Sequence, residues 1–120
     1  MNEADVNAIS EIEERGKEVA SLLRRQDHVA ALKKSLENPP IRIKVSSIKD
    51  DNADIVKNVM TSITDASIDS TLDGLDEEEL DCLMKYVYRF LALPNLPSML
   101  KWHAKINSSF LLSRMPPFSD

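Results

Sequence analysis

The segment from Leu80 to Leu91, "LDCLMKYVYRFL", constrains the fold of this chain more than any other. Placed on a helix at about 100° per residue, Leu80, Leu83, Met84, Val87 and Leu91 form one apolar stripe. Cys82, Tyr86 and Phe90 form a second stripe beside it, which leaves Asp81, Lys85 and Arg89 for water. A surface helix needs an apolar face only a little over 100° wide. This segment is apolar over roughly two-thirds of its circumference, so it predicts a central helix covered on more than one side. A chain of 120 residues suffices for that, because a domain of this size buries roughly two-thirds of its unfolded surface.

Composition removes several fold classes. With two glycines and three tryptophan or tyrosine residues, there is little material for tight hairpins or phosphate-cradling loops, which argues against an all-β fold. No apolar run approaches the ~20 residues of a membrane span. The start "MNEADVNAIS" lacks the basic-then-apolar layout of a secretory signal, and the single Cys82 has no intrachain disulfide partner, so a reducing cytoplasm is the expected location.

Charge is distributed in blocks that the net value of −5 conceals. Residues 50 to 81 carry eleven acids and one base, whereas 28 to 49 carry one acid and five bases. Nucleic-acid binding needs a concentrated basic face, and the long acidic stretch argues against it. The charges read first as solvated helix faces with acids at helix starts. The basic connector with Arg42, Lys44 and Lys49 is the best candidate for an acidic partner.

Helix punctuation is clear along the chain. From about Ala4 to Arg25, Ile9, Ile12, Gly16, Val19 and Leu23 step by 3 and 4, a narrow seam suited to lying along one neighbour, with Gly16 permitting close approach. Residues 1–26 therefore read as a helical arm, 27–114 as a helical core domain and 115–120 as a tail. Asp27 is a plausible cap for a second helix with Val29, Leu32 and Leu36, which "NPP" stops because Asn38 precedes a proline. "IRIKVSS" alternates like a strand but has no second strand to pair with, so it reads as an extended connector. Ser47 with Asp50 marks the start of a helix whose face is Ile48, Ile55, Val56, Val59, Met60 and Ile63. A short helix near Ala66 to Leu72 ends at Gly74. Asp76 and Glu79 then make a capping box for the central helix. A last helix runs roughly from Ser98 to Asn107, with Met99, Leu100, His103 and Ile106 on one side. The result is an all-α fold, a compact array of short antiparallel helices stacked as hairpins.

Chemistry finds little support. Cys82, His28 and His103 have no second ligand at metal spacing, and Cys82 lies in an apolar stripe where an inert thiol is the default. The acids of "DGLDEEELD" lack the alternating ligands of a calcium loop and read as helix-start acids. No catalytic residue, metal or cofactor is expected. Tyr86, Tyr88 and Trp102 read as core and rim aromatics, some facing a partner, and His103 reads as a helix-face residue with a hydrogen-bonded ring and not a base.

"HVAALKKSLENPP", followed by the basic connector, then "LDEEELDCLMKYVYRFL", then "LKWHAKI", resembles subunit 5, the small all-helical subunit of the actin-related protein 2/3 complex. The likeness spans roughly Leu22 to Ile106 and is carried by Ala30, Ala31, Leu32, the Asn38-Pro39-Pro40 corner, Leu83 to Tyr86, Tyr88, Trp102, His103 and Lys105. It implies a non-enzymatic subunit of the assembly that nucleates branched actin filaments, packed on subunit 4 and the propeller subunit 1 and helping to hold actin-related protein 2. Actin filaments are then reached through the complex, in the actin cytoskeleton. Two segments depart from the family pattern: "NSSFLLSRMPPFSD" stands where many relatives have a glycine-containing turn and last helix, and the acidic N-terminal stretch is short. The interaction residues expected on this basis are Arg42, Lys44, Lys49, Tyr86, Tyr88, Trp102 and His103, with Ile9, Ile12 and Val19 from the first helix. The alternative is a free-standing helical binding module outside the complex.

Overall fold

The computed structural model describes residues 2–40, 43–93 and 98–114, those from 109 onward by backbone alone. The chain is all-α, with no strand among the described residues: α1 (Glu3–Arg24), α2 (His28–Ser35), α3 (Ser46–Ser62), a 3-10 turn (Asp65–Ser67), α4 (Ile68–Asp73), α5 (Glu77–Leu91) and α6 (Ser98–Arg114). None of these helices is long and apolar enough to cross a membrane. Packing divides the chain into two units, Met1–Thr64 and Asp65–Asp120. Within the first unit α1 packs on α2 and α3.

In the first unit, α1 opens with the Asn2 side chain accepting from the Asp5 amide at 2.8 Å. It closes in a Schellman motif built without glycine. Gln26 adopts φ 59°, its amide donates to the Leu23 carbonyl, and the Asp27 amide reaches back to Leu22. Asp27 then caps α2 by accepting from the Ala30 amide at 3.2 Å, as its sequence position predicts. Ile12 and Val19 of α1 are buried, as are Leu32 and Leu36 at α2, and Ile48, Val56, Val59 and Met60 of α3. The corner at Asn38 takes φ 44°, a left-handed conformation that asparagine tolerates, immediately before Pro39.

Two local expectations need correcting here. α3 begins at Ser46, and its cap residue Val45 offers no side-chain acceptor, so Ser47 is a helical residue and not the cap. Gly16 faces the side chain of Ile55, and a Cβ added to it would lie 3.5 Å from Ile55 Cδ1, an ordinary contact. Its presence therefore reflects no close backbone approach.

In the second unit, Asp76 accepts from the Glu79 amide at 2.8 Å and Glu79 Oε1 accepts from the Asp76 amide at 2.9 Å, the predicted capping box of α5. Leu80, Leu83, Met84, Val87 and Phe90 are buried, and Cys82, Tyr86 and Leu91 are half-buried. The two stripes thus behave differently: one is core from Leu80 to Val87, and the other is core only at Phe90. α6 packs on α5 and on α4. It runs seven residues past the expected end at Asn107, since neither glycine nor proline interrupts it before Pro116. Among its described side chains Met99, Trp102 and Ile106 are buried, whereas Leu100, expected on that side, is 65% exposed.

Lys101 pairs with Asp65, and Lys105 with Asp69 at 2.8 Å, so two lysines one turn apart on α6 meet two acids at the same spacing. Part of the acidic block is therefore tied to the late basic block by pairs between helices, beyond being a solvated face.

Candidate protein-interaction surfaces

The sequence-derived interaction residues fall into three places. On the second unit, Tyr88 is 56% exposed and meets the half-buried His103 edge-on, with ring centroids 5.4 Å apart and planes at 67°. Leu100 lies one turn before His103 on α6 and Leu93 just beyond α5, both exposed. Lys85 and Arg89 flank Tyr88 on α5, at its exposed surface. Tyr88 and His103 thus bring an exposed phenol ring and a half-buried imidazole together, with an exposed leucine one turn along α6 and two exposed bases on α5. Tyr86 lies on the other flank of α5, half-buried and stacked on Phe90 at 6.1 Å. Trp102 is wholly buried, and its indole N–H finds no acceptor among the described residues.

On the first unit, Lys44 is exposed just ahead of α3 and Lys49 is half-buried in its opening turns. Arg42, the third member of that basic group, lies outside the described residues. The first turn of α3 holds no acidic residue, so the helix adds the positive end of its dipole to the two lysines.

The third place is α1. Ile12 joins Ile43 and Ile48 in a buried cluster, against which the half-buried Ile9 packs together with Ala8, Val45 and Ile55. Ile12 and Val19 are core residues of the first unit, and Ile9 and Leu23 are the half-buried apolar residues of the same seam.

Between α1 and the segment from α2 to α3 lies a groove that the sequence did not disclose. Two cavities of about 450 Å³ each share Asn7, Glu11, Arg15 and Asn38 in their walls. One continues over Ala4, Ala8, Ile12, Pro39, Pro40 and Ile43, an apolar end. The other continues over Ser10, Glu14, Glu18, Lys34 and Glu37, a charged end. Arg15 is only 5% exposed. Its Nη1 donates to Asn52 Oδ1 and its Nη2 to the Asn38 carbonyl at 3.2 Å. A legible signal existed: Arg15 stands three residues after Ile12 and four before Val19, inside the buried arc of α1. At the charged end Lys34 donates to Glu18 and to Glu37, and these hydrogen bonds raise the pKa of its ammonium.

No group of three histidine, cysteine, aspartate or glutamate residues suited to a metal occurs among the described residues. Burial pushes the half-buried Cys82 thiol up, against a smaller opposing effect of Lys85.

Comparison with known proteins agrees with the resemblance read from the motifs. The family model described as "ARP2/3 complex 16 kDa subunit (p16-Arc)" matches residues 2–110. The chain is similar to "Actin-related protein 2/3 complex subunit 5" of Dictyostelium discoideum, 41% identical over 101 residues that cover 83% of this chain and 73% of the relative. It is 38% identical over 101 residues to "subunit 5A" of Arabidopsis thaliana, covering 82% and 75% of the two chains. With "subunit 5-C" of Xenopus laevis it shares 34% identity over 116 residues, covering 88% and 77%.

Proposed function

Because this chain belongs to the ARP2/3 complex 16 kDa subunit (p16-Arc) family, we propose that it serves in that complex as a non-catalytic structural subunit. In this reading it packs against subunit 4 and the propeller subunit 1, helps to hold actin-related protein 2, and so supports nucleation of branched filaments in the actin cytoskeleton. The observation that carries the reading is the match over residues 2–110 to a family named for the complex. Two surface features support a docking role. The patch of Tyr88, His103 and Leu100 leaves apolar area uncovered in the single chain, as the interfaces of obligate assemblies do. The basic start of α3, with Lys44 and Lys49, suits an acidic neighbour.

Within residues 1–26, the part suited to act as an arm is the opening of α1, where Val6 is exposed and Ile9 half-buried. Beyond it, Ile12 and Val19 anchor the helix to its own unit, and Trp102 does the same for α6 by its burial.

Reconstitution with the remaining subunits tests the assignment. The tagged chain is expected to co-purify with actin-related protein 2 and the propeller subunit. A Tyr88→Asp, Leu100→Asp variant should bind at least tenfold more weakly with an unchanged unfolding curve, since both sites are exposed. A chain that folds but joins neither partner would establish the free-standing helical module instead.

A further inference from the structure

We propose that the groove along α1 receives an extended segment of a neighbouring polypeptide, about six residues long, with an apolar side chain at one end and a lysine or arginine at the other. This deepens the subunit reading and rests on it. The length follows from the geometry. Ala4 and Glu18 bound the groove along α1, and fourteen residues at 1.5 Å each span about 21 Å. An extended chain covers that distance in about six residues.

The polarity of the segment follows from its two ends. Beyond the Glu11 and Arg15 that line both cavities, Ala8, Ile12, Pro39, Pro40 and Ile43 offer an apolar wall, which suits an aliphatic or aromatic side chain. At the other end Glu11, Glu14, Glu18 and Glu37 line the cavity with one half-buried lysine, Lys34, which is already shared between Glu18 and Glu37. Glu14 reaches Lys17 only at 3.9 Å, and Glu11 has no ion pair among the described residues. A second cation is favoured there and a carboxylate is repelled.

Arg15 supplies the third element. Its guanidinium has five N–H donors, of which the structure commits two groups to neutral oxygens, those of Asn52 and Asn38. No carboxylate lies within ion-pair distance of it among the described residues. A buried cation held by neutral acceptors gains from further oxygens, and the carbonyls of an extended backbone provide them without adding negative charge to the acidic end. Asn7, in both cavity walls, can donate to and accept from the same backbone.

The test uses the full chain in the reconstituted complex. A photo-cross-linking phenylalanine analogue at Asn7 is expected to capture a segment of another subunit that has a lysine or arginine four to six residues from an aliphatic or aromatic residue. Glu11→Lys, Glu14→Lys, both exposed, should slow association at least tenfold at low salt and flatten its salt dependence, with Glu11→Gln, Glu14→Gln intermediate. Capture of an acidic segment, of a second copy of this chain or of nothing would overturn the groove assignment. So would a charge-reversed variant that joins the complex at the wild-type rate. Failure of the wild-type chain itself to join would overturn the subunit reading and the groove together, an outcome distinct from failure of the variant alone.

Discussion

Arg15 on α1 donates through Nη1 to Asn52 Oδ1 on α3 at 2.5 Å, and both side chains are buried although they stand 37 residues apart. The same guanidinium holds the carbonyl of Asn38, whose left-handed conformation turns the chain into Pro39. One buried cation thus ties two helices and a corner. Replacing it by alanine removes a charge-assisted hydrogen bond and leaves the wholly buried Asn52 without that donor, so a loss of about 2 to 4 kcal/mol is expected. A denaturation double-mutant cycle on Arg15→Met and Asn52→Leu should give a coupling of at least about 1 kcal/mol. Strict additivity would mean that the two side chains contribute independently.

At Gly16 the expected change has the opposite sign. Alanine there gains about 1 kcal/mol of helix propensity, and its Cβ would meet Ile55 at 3.5 Å and 3.9 Å, both ordinary contacts. Gly16→Ala should therefore raise the unfolding midpoint. A lowered midpoint would show that Ile55 cannot tolerate even that contact.

Leu83 and Tyr88 share α5 but not its environment. Leu83 is wholly buried, so Leu83→Ala should cost about 2 to 5 kcal/mol through lost transfer energy and the residual cavity. Tyr88 is 56% exposed, and Tyr88→Ala should change stability by no more than about 0.5 kcal/mol while weakening assembly. Chemical unfolding of both variants checks the contrast, and similar losses in the two would contradict it.

The raised thiol pKa at Cys82 comes chiefly from burial, which favours the neutral thiol in the folded chain. The sign follows directly. The stabilisation is fully present below the thiol's unfolded pKa and is lost as pH rises through the raised folded value. Iodoacetamide should label Cys82 more slowly in the folded protein than in the urea-unfolded chain at pH 8, and Lys85→Ala should slow it further by removing the opposing charge. Equal labelling rates in the folded and unfolded states would refute the assignment.

The helices and their ends were largely legible because local chemistry governs them. Asp27 caps α2, Asp76 and Glu79 form the box of α5, and α2 ends at Ser35, ahead of the corner at Asn38 and Pro39. Helix ends without a strong local cap or stop are less legible. Ser47 suggested a cap that α3 does not use, and Asn107 suggested an end that α6 passes. Of the interaction residues, Tyr88 and His103 meet ring to ring, the first exposed and the second half-buried, whereas Ile12, Val19 and Trp102 are buried.

By itself, then, the sequence determined that this chain is helical, where most of its helices begin and end, and which family its motifs carry, since spacing, caps and proline act over a few residues. Tertiary structure alone decided that Arg15 and Asn52 meet, that Lys101 and Lys105 pair with Asp65 and Asp69, and that α1 borders a groove with one apolar and one acidic end. Periodicity assigns a residue to a face of its own helix. Which distant side chain that face meets depends on how separate helices pack, and the spacing of residues within one helix does not encode it.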